Sequence, residues 1–291
     1  MILITGATGQ FGASTIEFLL KKGISPSKIV ALVRDEEKAK DLKSKGVEIR
    51  VGDYNNYDSL EASFQGVEKI LFISGSDIIK RTEQHLNVVS AAKEAGVKHI
   101  VYTSFQTRNE TESSPLWIVA KSHLKTEVCL KESGIDYTIL KNSLCMDMIP
   151  AFLGEKVIET GMIFLPAGNG KVGAVLRSEM AEASANILIG SYHSGKTYLI
   201  TNNEAFSYPE IAKNLSEISG KTINYISPTA DEYAQALTEH GVPAEYIGLF
   251  SGFAVAQEFG ELDTTSSDLE ELLGRKPTSI KSFLNQIYSS N

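Results

Sequence analysis

Cysteine is nearly absent: the 291-residue chain holds two, Cys129 and Cys145. Two thiols so far apart supply neither a zinc site nor a disulfide framework, so no metal is expected. An excess of positive charge is missing too. Lys and Arg number 28 against 36 Asp and Glu, a formal net charge of −8. Phosphate affinity rests on clustered cations, so neither a nucleic-acid binder nor a membrane-surface binder is expected. No apolar run approaches the roughly 18 residues that span a bilayer. Met1-Ile2-Leu3-Ile4-Thr5-Gly6 has no basic region and no small-residue cleavage site, so it does not read as a signal peptide. Internal repeats and low-complexity tracts are absent as well. The expectation is a cytoplasmic protein with reduced thiols.

What is present is ordinary globular composition, 42% apolar and 22% charged. At about 150 residues per domain the length fits one large domain or two modest ones. Up to about Pro150, short β-branched runs alternate with amphipathic stretches. The strands are Ile2 to Thr5, Lys28 to Arg34, Val47 to Val51, Lys69 to Ser74, His99 to Ser104 and Asp136 to Lys141. Helices are expected from Ala13 to Lys22, from the cap Asp35 to Lys45, from a capping box at Asp58–Glu61, from Thr82 to Ala95, and from Leu116 to Glu132. That alternation predicts an α/β fold with a doubly wound parallel sheet. Beyond Pro150 helices dominate, opened by capping boxes at Ser207–Glu210 and Thr229–Glu232. Only Thr197 to Thr201 and Thr222 to Ile226 read as strands. We therefore expect a dinucleotide-binding domain over 1–149 and a smaller, mainly helical domain over 150–291, some segments of which return to the sheet.

Thr5-Gly6-Ala7-Thr8-Gly9-Gln10-Phe11-Gly12 leaves the first strand and opens the first helix. Glycines at 6, 9 and 12 permit a tight turn, close backbone approach to a pyrophosphate and a close helix–strand contact. The helix N-terminus offers free N–H groups to an anion. A turn needing only positive φ would explain one glycine; the strand before and the helix after favour nucleotide binding. Arg34 stands where an acidic residue would bind the ribose 2′-hydroxyl of NAD. A guanidinium suits a 2′-phosphate, so NADP(H) is preferred, with NAD(H) as the alternative. The competing reading is that Arg34 is a solvated strand-end residue.

Two motif matches fail on context. Gly190 to Thr197 fits the P-loop pattern, but a helix precedes it and a strand follows, the reverse of what a phosphate cradle needs. Tyr137/Lys141 and Tyr192/Lys196 match the Tyr–Lys spacing of short-chain dehydrogenases. The first pair lies in a strand, where four residues span roughly 13 Å, and the second contains Gly195. The acid–base dyad is therefore missing. In its place the helix after the fifth strand carries His123 and Glu127, four residues apart, so the carboxylate could orient the imidazole. His123 then either lines the pocket as a proton source or ties the helix to the next strand. Ligands of doubly wound sheets bind at the C-terminal strand ends. That location singles out Ser74-Gly75-Ser76, Ser104-Phe105-Gln106 and Asn142-Ser143.

With T-G-A-T-G-Q-F-G, A-L-V-R, L-F-I-S-G, A-G-V-K-H-I-V-Y-T-S, H-L-K-T-E and Y-T-I-L-K-N, the chain resembles the NmrA-like atypical short-chain dehydrogenases. It is similar above all to their quinone oxidoreductase type 2 and triphenylmethane reductase group. The resemblance implies a Rossmann domain, a small C-terminal domain and a cleft between them. It carries cofactor contacts onto Gly6, Thr8, Gly9, Gln10, Phe11, Arg34, Asp53, Ser74 and Gly75, to which the glycine pattern adds Gly12. Ser76, Phe105, Asn142 and Cys145 are the expected substrate pocket. Cys145 stands where the group often has tyrosine, and Lys141 where it often has arginine. The implied activity is NADPH-dependent hydride transfer to quinones or similar conjugated electrophiles. The partner is then a small-molecule acceptor, and the protein a monomer or homodimer. The alternative is a non-catalytic NADP-binding sensor of the NmrA type.

Overall fold

A computed structural model describes residues 1–289. Six strands follow the expected rhythm: β1 (Ile2–Ile4), β2 (Ile29–Val33), β3 (Glu48–Val51), β4 (Lys69–Phe72), β5 (His99–Phe105) and β6 (Asp136–Asn142). Helices α1 (Gln10–Lys21), α2 (Lys40–Ser44), α3 (Tyr57–Phe64), α4 (Arg81–Glu94) and α5 (Trp117–Glu132) alternate with them. After α6 (Ile149–Leu153), α7 (Val157–Thr160), β7 (Met162–Phe164) and β8 (Lys171–Val172) come α8 (Arg177–Ile189) and β9 (Lys196–Ile200). The chain ends with β10 (Phe206–Ser207), α9 (Tyr208–Ser219), β11 (Asn224–Ile226), α10 (Ala230–Glu239), α11 (Ala244–Glu258), α12 (Asp268–Leu273) and α13 (Ile280–Tyr288).

The main sheet has seven strands in the order β3-β2-β1-β4-β5-β6-β9, all parallel. The order reverses between β1 and β4, so the crevice at their C-terminal ends is the topological switch point. Both faces are covered, which is why β2 is buried at every residue and its sequence is unbroken I-V-A-L-V. Ile16 and Leu19 of α1, Met180 and Ile187 of α8 and Leu269 of α12 share one apolar core below the sheet. Leu60 and Phe64 of α3, Val88 of α4 and Leu130 of α5 form the other. A third core unites α6, α7, α9, α11 and α13 with β7 and β8. Residues 177–200 thus leave the C-terminal half, pack α8 against α1 and add β9 beside β6.

Local departures have local causes. Asp35 caps as read, its Oδ1 accepting from Glu37 N at 3.0 Å, but the turn it starts is a 3-10 turn at Glu36–Ala39 that tightens before α2. The expected capping box at Asp58 does not form. Asn56 is the cap, accepting from Ser59 N at 3.1 Å, which leaves Asp58 inside the first turn. Both later capping boxes are present. Strands β7, β8 and β10 were not expected; two or three residues carry no readable period, and they exist because β7 pairs with β11 and β8 with β10.

Candidate active site at the switch point

Gly6 turns the chain after β1 with φ +56°, and Gly9 caps α1 with extended backbone and no side chain over the helix end. The first amides of α1 are therefore free to face an anion. Gly12 is a matter of contact: a Cβ there would lie 2.5 Å from the Gly6 carbonyl oxygen and 2.8 Å from Ala7 Cα. Gln10 is held from the other half of the chain by Arg177 Nη1, which donates to its Oε1. Phe11 packs half-buried on the lower core.

A cavity of about 470 Å³ opens beside this loop. Of the expected cofactor residues, Gly6, Thr8, Gly9, Arg34, Asp53, Ser74 and Gly75 line it, with Ser76 at the same rim; Gln10, Phe11 and Gly12 flank it. Lys38, Tyr54, Asn55 and Gln84 also line it, and sequence reading missed them. Lys38 was signalled only by its position one turn beyond Arg34. The floor is stitched by Thr5, whose hydroxyl accepts from Ile73 N at 2.9 Å and from Tyr54 Oη at 2.6 Å. Burial holds the Tyr54 phenol well above its ordinary range. Asp53 does not project freely into the cavity; its Oδ1 accepts from Asn55 N and Nδ2, both at 2.8 Å.

The loop after β4 is clamped from α4. Gly75 N donates to His85 Nε2 at 3.0 Å, and Gly75 O accepts from Arg81 Nε at 2.6 Å. The space a Gly75 Cβ would need is taken by Gln84 Oε1 at 2.8 Å. Behind the clamp lies His123, 5% exposed. A guanidinium can only donate, so Arg81 Nη1 donates a hydrogen bond to His123 Nε2 at 3.3 Å. The other nitrogen, Nδ1, then carries the ring hydrogen and donates to Tyr102 Oη at 2.8 Å. The expected His123–Glu127 pair does not form. Glu127 instead accepts from Ser104 Oγ at 2.5 Å and sits 3.8 Å from Lys141 Nζ, because the two positions of α5 face different neighbours on β5 and β6.

Both buried imidazoles are held neutral. Burial and the Arg81 charge lower His85 to about 3 and push His123 well below its usual value. In the unfolded chain these rings gain protons near pH 6.5, whereas the folded ones resist, so their contribution to stability is intact above pH 6.5 and is lost as pH falls towards 3. Urea unfolding is expected to show about 1.4 kcal/mol lost per ring per pH unit below 6.5. His85→Gln should make that slope shallower, and an unchanged midpoint between pH 7 and 5 in the wild type would contradict it.

The other residues expected to form the substrate pocket lie at and beyond the ends of β5 and β6. Phe105 and Asn142 are the paired last residues of β5 and β6. The Phe105 ring is 6.1 Å from the His123 ring and meets Phe253 of α11 edge-on at 6.0 Å. Asn142 Oδ1 is buried without a hydrogen-bond partner. Cys145 is half-buried beside Val175, and burial raises its thiol pKa. Neither Tyr/Lys match forms a dyad: Tyr137 and Lys141 lie in β6, while Tyr192 sits in the turn between α8 and β9. The P-loop-like segment is that same helix-to-strand turn.

A family model described as NmrA-like matches residues 1–284. The chain belongs to the NmrA-like family. It is 36% identical over 291 residues to quinone oxidoreductase 2 of Escherichia coli K12, covering 100% of both chains. The structure of NADPH-dependent quinone oxidoreductase from that organism with NADPH superposes with a TM-score of 0.93, covering 99% of this chain and 100% of the other. Triphenylmethane reductase from Citrobacter sp. with NADP(H) superposes with a TM-score of 0.92 at 39% identity, covering 98% and 99%. The NmrA-like assignment agrees with the strand order and with a glycine loop at the switch point.

Proposed function

We propose that this NmrA-like protein is an NADPH-dependent reductase of quinones or related conjugated electrophiles. The observation that carries the reading is the cavity at the switch point. Free amides of α1 open onto it, and Arg34 and Lys38 stand together on its wall. Such residues fit a dinucleotide bearing an extra phosphate, the amides for the pyrophosphate and the two cations for the 2′-phosphate. The full-length similarity to a quinone oxidoreductase and to a triphenylmethane reductase supports the substrate class. When bound, NADPH supplies a hydride.

The protein's own part is placement. Gly75, fixed by His85 and Arg81, holds the loop along the cofactor. A flat acceptor would then lie towards Ser76 on the cavity wall and the strand-end residues Phe105, Asn142 and Cys145. We read His123 as a positioning residue, since both its nitrogens are engaged inside the protein; the proton that completes reduction then comes from water. In this reading residues 1–149 form the dinucleotide-binding domain and the second domain, from 150 on, covers the cleft with its described residues, 177–200 being lent to the sheet. The net charge of −8 and the two free cysteines support the further reading of a cytoplasmic protein, a monomer or homodimer, that binds a small molecule rather than nucleic acid. Mixing protein, NADPH and menadione and following the nicotinamide absorbance tests the reading. Protein-dependent loss of that band is expected; tight NADPH binding without turnover would favour a sensor instead.

A further inference from the structure

The geometry points to Arg81 as a specificity-determining residue that favours neutral acceptors, which become anions on reduction, over acceptors that are already cations. This rests on the reductase reading. Arg81 is only 7% exposed, and its partners are a carbonyl oxygen and a neutral ring, Gly75 O and His123 Nε2. Among the described residues it has no ion-pair partner. Asp77 acts on Arg81 through its charge but makes no ion pair with it, and burial still lowers the Arg81 pKa overall. Asp77 Oδ1 accepts from the Ile79 and Lys80 amides at 3.2 and 3.1 Å, and Glu127 is taken by Ser104 and Lys141. Tyr102, His85 and His123, which surround the guanidinium, are all neutral. Arg81 is also the first residue of α4, where the helix dipole opposes a cation.

A buried charge without a direct ion pair is costly on each of these counts. Holding Gly75 O does not require a charge, since a neutral amide could donate there. The cation lies between the cofactor cavity, through Gly75, and the Phe105 end of the crevice, through His123. An acceptor placed against Phe105 would therefore feel its field with little water between them. Menadione takes the hydride supplied by NADPH and is a hydroquinone monoanion until water gives the second hydrogen as a proton. Crystal violet, a triarylmethyl cation, takes the same hydride and becomes a neutral leuco compound. A fixed positive charge stabilises the first course and opposes binding in the second.

The two acceptors should therefore respond to Arg81→Met with opposite sign. We expect kcat for menadione to fall about 10-fold while Kd for crystal violet, read from its visible band with NADP⁺ present, tightens about 10-fold. Arg81→Lys alters the fork on Gly75 and holds a charge only while its amine is protonated. Its menadione-to-crystal-violet preference should therefore approach wild type at low pH and that of Arg81→Met at high pH. Equal losses for both acceptors in Arg81→Met, shared by Arg81→Lys, would reduce Arg81 to a clamp on Gly75 and overturn the inference. If wild type reduces neither acceptor, the reductase reading fails. Dye binding would still judge the charge: an unchanged Kd in Arg81→Met refutes it.

Discussion

Arg34→Ala is expected to raise the Kd for NADPH roughly 10- to 100-fold and to leave NADH within about twofold. The two nucleotides differ only in the 2′-phosphate, so a residue whose removal separates them must act there. Arg34 follows β2 directly and lines the cavity beside Lys38. A charge-assisted hydrogen bond to a guanidinium is worth about 1.5–3 kcal/mol, and about 1.4 kcal/mol is a factor of ten. Lys38 is exposed, and its attraction for the same phosphate is weakened by water and salt. Its removal alone should therefore cost about 3-fold. The double variant should bind both nucleotides alike. Calorimetry with NADPH and NADH on the three variants measures this directly. An equal loss for both nucleotides in Arg34→Ala would place Arg34 on the shared adenosine and remove the basis for NADPH preference.

Gly12→Ala should abolish useful NADPH binding, with a loss of at least about 100-fold, and should also lower stability by about 1–3 kcal/mol. The atoms a Cβ would meet are backbone: Gly6 O at 2.5 Å, Ala7 Cα at 2.8 Å and Gly6 C at 2.9 Å. None can rotate away as a side-chain tip could. Either α1 lifts from β1 or the Gly6 turn opens, and both moves spoil the aim of the helix amides. Gly9→Ala is the control, because its Cβ would lie 3.3 Å from Gly6 O and the backbone there is extended. A milder loss is expected for it. Near-normal nucleotide binding by Gly12→Ala, with a normal melting curve, would mean that the close approach is unimportant.

The buried His85–Gly75–Arg81–His123 chain shows where sequence reading stops. His123 is a titratable residue on the helix where a dyad would sit, and helical spacing offers Glu127 as its charged partner. Its actual partners, Tyr102 and Arg81, are 21 and 42 residues away and sit on other elements. Arg81 itself drew no notice, for an arginine in a polar stretch before a helix is ordinary until its burial is known. The placement of β9 next to β6, and of α8 against α1, was equally hidden. Nothing in K-T-Y-L-I names the strand it pairs with.

From the residue order alone come the strand–helix rhythm through Asn142, the glycine loop, Arg34 at the second strand end, the Asp35 cap and the later capping boxes. Each depends on neighbours within a turn or a pleat, and such short-range geometry is written directly in spacing and residue type. The folded molecule alone decided which polar groups are buried together, which imidazole nitrogens are occupied and which cation lacks a direct ion pair. Those properties depend on distances between segments far apart in the chain, and only the packing of the sheet with its helices sets them.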